Sequence, residues 1–351
     1  MKIRHLPAMI APGFLGAFFF SLILSSCKDK DQGADWAGQA PPPKVEVAAA
    51  PTTPAPVPAA APAPDEPPQV ADSPPLDGTS VRFVTYNVEN WLTMDRYVKG
   101  KQVQGAPKPE AERQAVVGAI LSSKPDILGI SEIGNEGDVK DLQKHLADAG
   151  LPLEHSYLNR GSDPTRSLVI LSRYPIGKTV VHEDLKYQLE GKEYAMQRGI
   201  LDASLHTPAG DFRFLGVHLK SKREVEEGDQ EEMRRSEAHL LRREIDSILQ
   251  SDAQARLVVY GDFNDTRQSP TVKTVHGSGN GSRLNMIALK DSRGHYWTHH
   301  WDFQDVYSRI DYVMVSQSLR RSVEWDFCKI LDNDAVAGAS DHRPLLVILK
   351  K

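Results

Sequence analysis

The sequence predicts an α/β domain, and three observations carry that class. Short apolar, β-branched runs recur along residues 80–351, each bounded by turn residues. Longer stretches between several of them repeat their apolar residues at helical spacing. Composition allows the core such a domain needs, since 40% of the 351 residues are hydrophobic and 25% charged. That length holds one large domain or two small ones. The first 79 residues, however, are of another kind.

Residues 1–26 carry Lys2 and Arg4 and no acid, then an apolar run over 8–24 interrupted by Pro12, Gly13 and Gly16. The run is shorter than the roughly 20 residues of a membrane span, and has the form of an export signal. It ends Leu24-Ser25-Ser26-Cys27, which resembles the lipobox of bacterial lipoproteins. The resemblance implies acylation of Cys27 and a lipid anchor in the cell envelope. A plain secretory signal is the alternative. Two or more acyl chains anchor stably where one does not. Lys28, in place of aspartate, is permissive for the outer membrane in lipoproteins of that kind. Residues 27–79 are rich in Ala and Pro and read as a disordered tether. Extended polyproline II would let it reach at most on the order of 150 Å.

The globular part is therefore residues 80–351. Net charge is −5, or −7 once Lys2 and Arg4 are set aside. An acidic chain has no broad electrostatic grip on duplex nucleic acid, which argues against a tight non-enzymatic DNA binder but not against a nuclease with a local grip. Of the two cysteines, Cys27 has its own use, so no internal disulfide is expected. Cys328 reads as a buried free thiol.

Residues 81–91 alternate as a strand, with Phe83, Thr85, Asn87 and Glu89 on one face. Residues 94–109 read as a solvated loop, although Arg96, Lys99, Lys101 and Lys108 could meet phosphate. A helix follows over 109–123, with Glu110 and Glu112 in its first turn and Val116, Val117, Ile120 and Leu121 as its stripe. Residues 126–133 form a strand in which Glu132 falls on the face of Leu128 and Ile130. A carboxylate closing an apolar row needs a partner, and a hard cation is a natural one. A rim glutamate in water is the plain alternative.

A second helix is expected over 139–149 and strands over 167–172 and 196–205, the latter carrying Arg198. The strand at 212–219 brings out His218, followed by Lys220, Ser221 and Lys222. Lone histidines are usually structural, but a phosphate-facing strand end fits these neighbours. A long helix covers 229–250 with Ala238, Leu241, Ile245 and Leu249 inward; its charges and His239 are assigned to a solvated face. Residues 257–260, Leu-Val-Val-Tyr, make a buried strand that opens through Gly261 into Asp262, Phe263 and Asn264. On an extended chain Asp262 and Asn264 share a side. Turn residues at a strand end would look the same.

Residues 265–301 read as long and irregular, with His276, His295, His299 and His300. Their spacing matches no zinc pattern, so a histidine metal site is discounted there. Asp311 shares a strand face with Val313 and Val315. Residues 338–344 lead through Asp341 and His342 into a closing strand at 345–349. A turn explains that pair, as does a histidine held in one tautomer by a carboxylate.

Each of these positions is weak alone. Together Asn87, Glu89, Glu132, His218, Asp262, Asn264, Asp311, Asp341 and His342 break apolar strand patterns at their ends, from distant parts of the chain. A shared acidic pocket is the simplest account. Carboxylates without thiolates favour Mg2+ or Mn2+, one or two ions, over zinc. Oxygen ligands with histidines suit phosphate ester hydrolysis.

The motifs NVEN, SEI, VHLKSK, GDFND, SRIDY and SDHRP, in this order over 80–351, resemble the endonuclease/exonuclease/phosphatase superfamily, which includes deoxyribonuclease I, apurinic/apyrimidinic endonucleases, sphingomyelinases and inositol-phosphate phosphatases. The resemblance implies a four-layer sandwich: two packed mixed β-sheets flanked by helices. It implies Glu132 as main metal ligand with Asn87 beside it, and Asp341 as a metal or supporting ligand. Asp262 would orient or deprotonate water, and Asn264 would hold that water or the phosphate. Asp311 would pair with His342, and His342 would contact phosphoryl oxygens. His218 would stabilise developing charge or protonate the leaving oxygen. Glu89, where some relatives have aspartate, would assist a second metal or position substrate; Arg198 and Lys220 would face phosphate.

The expected function is hydrolysis of DNA or RNA phosphodiesters outside the cytoplasm by a monomer. A phospholipid, sphingomyelin or small-phosphoester hydrolase is the alternative, and an inactive surface binding protein the third reading. No exposed hydrophobic hairpin of the kind lipid-cleaving members use is visible in the sequence.

Overall fold

The computed structural model describes residues 78–98, 101–226, 228–279 and 282–351. The leader, Cys27 and the tether as far as residue 77 lie outside them, as does Lys99. Among the described residues no helix is long and apolar enough to cross a membrane.

Strand β1 (Ser80–Trp91) alternates Phe83, turned toward the second sheet, with Val84 and Tyr86, turned toward helices. The expected loop that follows is instead a hairpin of β2 (Met94–Val98) and β3 (Lys101–Ala106). Arg96 fastens it by donating to the carbonyls of Asn90 at 2.6 Å, Leu92 at 3.0 Å and Ala106 at 3.3 Å, an anchorage no local pattern announces. Lys108 is buried rather than solvated. Its Nζ donates to the Glu89 carbonyl at 2.8 Å and lies 3.2 Å from Glu112.

Helix α1 (Glu110–Leu121) starts after Pro109, with two acids in its first turn. Then come β4 (Ile127–Ile133) and α2 (Glu136–Asp148), the latter opened by an Asn135/Asp138 capping box. Strands β5 (His155–Asn159), β6 (Ser167–Ser172) and β7 (Ile176–Thr179) follow, then the small hairpin of β8 (Lys186–Leu189) and β9 (Lys192–Ala195). Strand β10 (Leu201–Thr207) begins later than its apolar run suggests. Gly199 has φ +67, so the chain turns there and Arg198 stands before the strand, not in it.

After β11 (Gly210–His218) comes α3 (Gln230–Ser251), capped by Asp229. Strand β12 (Leu257–Asp262) leads to α4 (Pro270–His276), which has the Ser269 cap and first-turn proline of a regular start. The expected irregular stretch thus holds α4 and two short strands, β13 (Asn285–Met286) and β14 (His299–Trp301). The chain closes with β15 (Val306–Ser308), β16 (Asp311–Val315), β17 (Lys329–Ile330) and β18 (Leu345–Lys350).

The first sheet runs β17-β18-β1-β4-β6-β5 and the second β13-β16-β12-β11-β10-β7. Both are mixed: β1 pairs parallel with β4 and antiparallel with β18, and β12 parallel with β11 and antiparallel with β16. One core fills the seam between the sheets, with Phe83, Ile170, Phe214, Tyr260, Val313 and Val347. A second joins the first sheet to α1 and α2, and a third joins the second sheet to α3 and α4. Four layers result, as expected. The sheets approach so closely at Tyr260 that a Cβ on Gly129 would stand 2.2 Å from its ring. Cys328 is a buried free thiol, pushed up to about 12 by burial.

Candidate functional site

Two walls form the site. Asn87, Glu132 and His342 come from the first sheet or its approach, and His218, Asp262 and Asp311 from the second. Asn87 bridges them. Its Nδ2 lies 3.2 Å from Glu132 Oε1, 3.3 Å from Asp262 Oδ2 and 3.4 Å from His342 Nε2. Its Oδ1 is taken by the Glu89 N–H at 3.1 Å, so in this arrangement Asn87 acts as a donor to the carboxylates. His342 Nδ1 lies 2.9 Å from Asp311 Oδ2, and its Nε2 3.7 Å from Asp262 Oδ2. His218 Nε2 stands 3.5 Å from Asp262 and 4.0 Å from Glu132. Its buried Nδ1 finds no hydrogen-bond partner among the described residues.

Strand alternation explains only part of this. Alternation puts Glu132 on the helix-facing side with Leu128 and Ile130, as the sequence reading had it. A bulge with φ +64 at Glu132 turns its carboxylate into the seam instead. Asn264 reaches the cavity through φ +50 and an N–H bond of 2.8 Å to Asp262 Oδ1, not along an extended strand. Glu89, at φ +48, leaves the Asn87 face altogether. Its half-exposed carboxylate sits 3.9 Å from Lys108 at the rim.

A cavity of about 610 Å3 opens over this ring, lined by Glu132, His218, Asp262, Asn264, Asp341 and His342. Arg166, 3.9 Å from Glu132, and Arg198, Lys220 and Arg223 add a cationic wall to the lining, with Glu224 and Glu226 next to Arg223. Arg198 is braced by Asp163 at 3.3 Å and Gln197 at 2.6 Å. Lys220 Nζ lies 3.2 Å from the Arg223 carbonyl.

Burial shapes the charges. It raises Asp262, helped by the Asp311 carboxylate, up to about 7. Burial works against a charge on His342, but Asp311, Asp262 and Asp341 outweigh it and hold the imidazole well above its usual range. His218 goes the other way: burial, then Arg198 and His342, keep it well below that range and neutral.

The ion-pair partners of Asp262 and Asp311 are imidazoles; among the described residues neither carboxylate has a Lys or Arg partner. Two buried carboxylates sharing one imidazolium leave negative charge to be offset. Two sets, Asp262/Asp311/His342 and His299/Asp341/His342, each offer ligand atoms within 4.8 Å of one another. An oxygen-rich set without thiolates fits a hard divalent cation.

Several residues at the site escaped the sequence reading. His299, discounted there, packs at a tilt against His342 with ring centroids 4.7 Å apart and stands 3.6 Å from Asp341. Arg234 and Glu237 were assigned to a solvated face and are buried. Glu237 accepts the Gln197 N–H at 3.0 Å and the Lys220 N–H at 2.7 Å, and Arg234 donates to the Lys220 carbonyl at 3.2 Å and reaches Asp265 at 3.3 Å. Helix α3 thereby ties down three segments that carry Arg198, Lys220 and Asn264. The signal was present: with Leu241, these two charges repeat at i, i+3 and i+7, inside the apolar stripe. Glu237→Ala strands two buried N–H groups and should cost about 2–4 kcal/mol in urea unfolding, with Glu237→Gln nearer the wild type.

A profile of the endonuclease/exonuclease/phosphatase family matches residues 85–342. No curated protein matches significantly. Among solved structures, the chain is similar to an endonuclease/exonuclease/phosphatase from Bacteroides vulgatus, with 20% identity over 78% of this chain and 99% of that one and a TM-score of 0.54. It is similar to the human Nocturnin catalytic domain at 16% identity, covering 78% and 95%, with a TM-score of 0.53. It is also similar to a mutant beta toxin of Staphylococcus aureus with bound magnesium ions, at 14% identity, covering 78% and 100%, with a TM-score of 0.51. At these identities the likenesses establish the four-layer fold.

Proposed function

Because the chain belongs to the endonuclease/exonuclease/phosphatase family, we propose that it is a metal-dependent phosphoesterase that hydrolyses the phosphodiester backbone of DNA or RNA. The observation that carries this is the cavity itself: a buried carboxylate–histidine ring and four cations, Arg166, Arg198, Lys220 and Arg223, line one space. Such a site offers a base, a charge-stabilising histidine and an anion-holding wall within one small volume.

Glu132 and Asp341, with Asn87 beside them and the Asp262/Asp311/His342 set within reach, would hold Mg2+ or Mn2+, as one or two ions. When bound, the cation supplies neutralisation of phosphoryl charge. Asp262, lifted to about 7, can take a proton from an attacking water near neutral pH. His342, kept cationic and oriented by Asp311, presents a donor to phosphoryl oxygens. His218, kept neutral, suits a hydrogen bond to developing charge better than proton donation to the leaving oxygen. Arg198 and Lys220 hold the scissile phosphate. Glu89 at the rim serves substrate placement. In this reading Cys27 is lipidated and the monomeric enzyme works outside the cytoplasm, at the outer membrane; the leader and the Leu24–Cys27 sequence support that.

One observation favours a second reading, cleavage of lipid phosphodiesters. The hairpin β14–β15 exposes Trp301 (48%), Phe303 (84%) and Tyr307 (53%), an aromatic tip that strand patterning in the sequence concealed. It is joined to the site, since the His300 N–H donates to the Asp341 carbonyl at 2.9 Å.

The test is a panel: full chain with Mg2+ and plasmid DNA, single-stranded DNA, RNA, sphingomyelin vesicles or a phosphomonoester, with and without EDTA. Hydrolysis of nucleic acid, abolished by EDTA and restored by Mg2+, is expected. Turnover of sphingomyelin alone would replace the first reading by the second. Turnover indifferent to EDTA would remove the metal-dependent mechanism.

A further inference from the structure

A second concavity, of about 670 Å3, lies along the free edge of the second sheet, where β13 is the outermost strand. Arg267, His276, Arg283, Asn285, Arg320 and Trp325 line it. A smaller cleft of about 260 Å3 shares Arg267, His276 and Arg283 with it and adds Lys273. No Asp or Glu among the described residues lines either one. Among the described residues Arg267, Arg283, Arg320 and Lys273 form no ion pair. Several arginines elsewhere are seated on acids, as Arg113 on Asp141, Arg213 on Asp202 and Arg343 on Asp291, while others such as Arg256 and Arg309 bond backbone carbonyls.

Exposed cations are usually just solvated. Here, though, three line one trough and a fourth lines the cleft adjoining it, without a counter-charge among the described residues, in a chain whose net charge is −5. Their mutual repulsion is unrelieved until an anion enters, and concave walls concentrate the field. The field already reaches a neighbour: burial, then Arg283 and Arg267, hold the His276 imidazole below its ordinary range.

The trough is elongated. Arg267 follows Asn264 by three residues and bears on Arg309 and Tyr312, at the catalytic end of β16. Arg320 and Trp325 follow the opposite end of β16, five residues and roughly 13 Å away. Trp325 is 39% exposed and adds an aromatic ring to the lining. Among the described residues it is the single large exposed apolar side chain in the lining, with its indole N–H donating to the Arg320 carbonyl at 3.3 Å. A free phosphate would fill a fraction of this length, and a lipid surface would call for more apolar contact. Spaced cations with an aromatic plate and amides match a polynucleotide strand.

We propose that this groove binds the phosphate backbone of a nucleic-acid strand, as an exosite that leads the polymer toward the catalytic cavity. It rests on the nuclease reading for its purpose, but its occupancy is measurable without turnover.

The experiment is fluorescence anisotropy of a labelled 30-nucleotide single strand with the full chain, in EDTA, across a salt series. The comparison is the triple variant Arg267→Gln/Arg283→Gln/Arg320→Gln. We expect the variant to bind at least about 30-fold more weakly at 50 mM salt, with a log–log salt slope shallower by about two. Trp325→Ala should weaken binding about fivefold or more, and Arg320→Glu alone about tenfold, which keeps the test open should the triple variant fold poorly. Equal affinity and equal slope in wild type and variants would overturn the proposal. So would anionic phospholipid vesicles that bind through these arginines while the strand does not. Strand binding through the arginines without hydrolysis of any panel substrate would leave the groove standing and remove the nuclease. Hydrolysis of DNA with unchanged KM and binding in the variants would do the reverse.

Discussion

Replacing His342 with alanine is expected to lower phosphoester turnover by at least about two orders of magnitude. The imidazole is the sole cationic side chain that both Asp262 and Asp311 meet among the described residues. Its loss removes the donor to phosphoryl oxygens and leaves two buried carboxylates paired across the β12–β16 ladder without the imidazole they share. The fall should lie in kcat more than KM, because the arginine wall that holds the ground state is untouched. Asp311→Asn separates orientation from charge. It keeps a group of the same shape against Nδ1, 2.9 Å away, but withdraws the carboxylate that holds the imidazole charged. A fall of about tenfold to a hundredfold is expected there. Steady-state kinetics with matched thermal melts checks both; a His342→Ala enzyme that keeps a tenth of wild-type kcat would refute the assigned role.

The second large effect is on folding. Gly261 has φ +130, a conformation closed to side-chain-bearing residues, and a Cβ there would stand 1.9 Å from the Val217 carbonyl oxygen. Val217 is its parallel neighbour in β11, so that oxygen cannot step aside without opening the β11–β12 ladder. Backbone strain and the steric clash each cost about 1–3 kcal/mol, so Gly261→Ala should destabilise by at least about 2 kcal/mol. Asp262 follows directly, and its displacement should take activity with it. Urea unfolding provides the measurement. A loss under 1 kcal/mol would mean the strand tolerates a rearrangement that the packing gives no room for.

Asn87, Glu132, His218, Asp262, Asp311 and His342 were legible in the sequence because each ends an apolar run with a group that burial penalises. Their convergence was legible only through the order of the motifs. How the chain leaves each strand was not. Glu89, Glu132 and Asn264 all take left-handed backbone, and a non-glycine residue gives no sign of that in composition or period. Arg198 was misplaced for the same reason, its turn being set by Gly199. Arg234 and Glu237 were misread because charge outweighed period in the assignment, although the period was correct. His299 and the aromatic tip were hidden because a three-residue strand lies below what alternation can resolve.

The catalytic groups are divided between the two sheets, with Asn87 spanning the seam. Any ion or phosphate gripped by both walls has no equivalent home on the unfolded chain. Its affinity must then return as cohesion of the sandwich, about 2.7 kcal/mol when the ligand is at a hundred times its Kd. The centre that performs the reaction would double as a rivet, and the protein at rest would be a looser object than the protein at work.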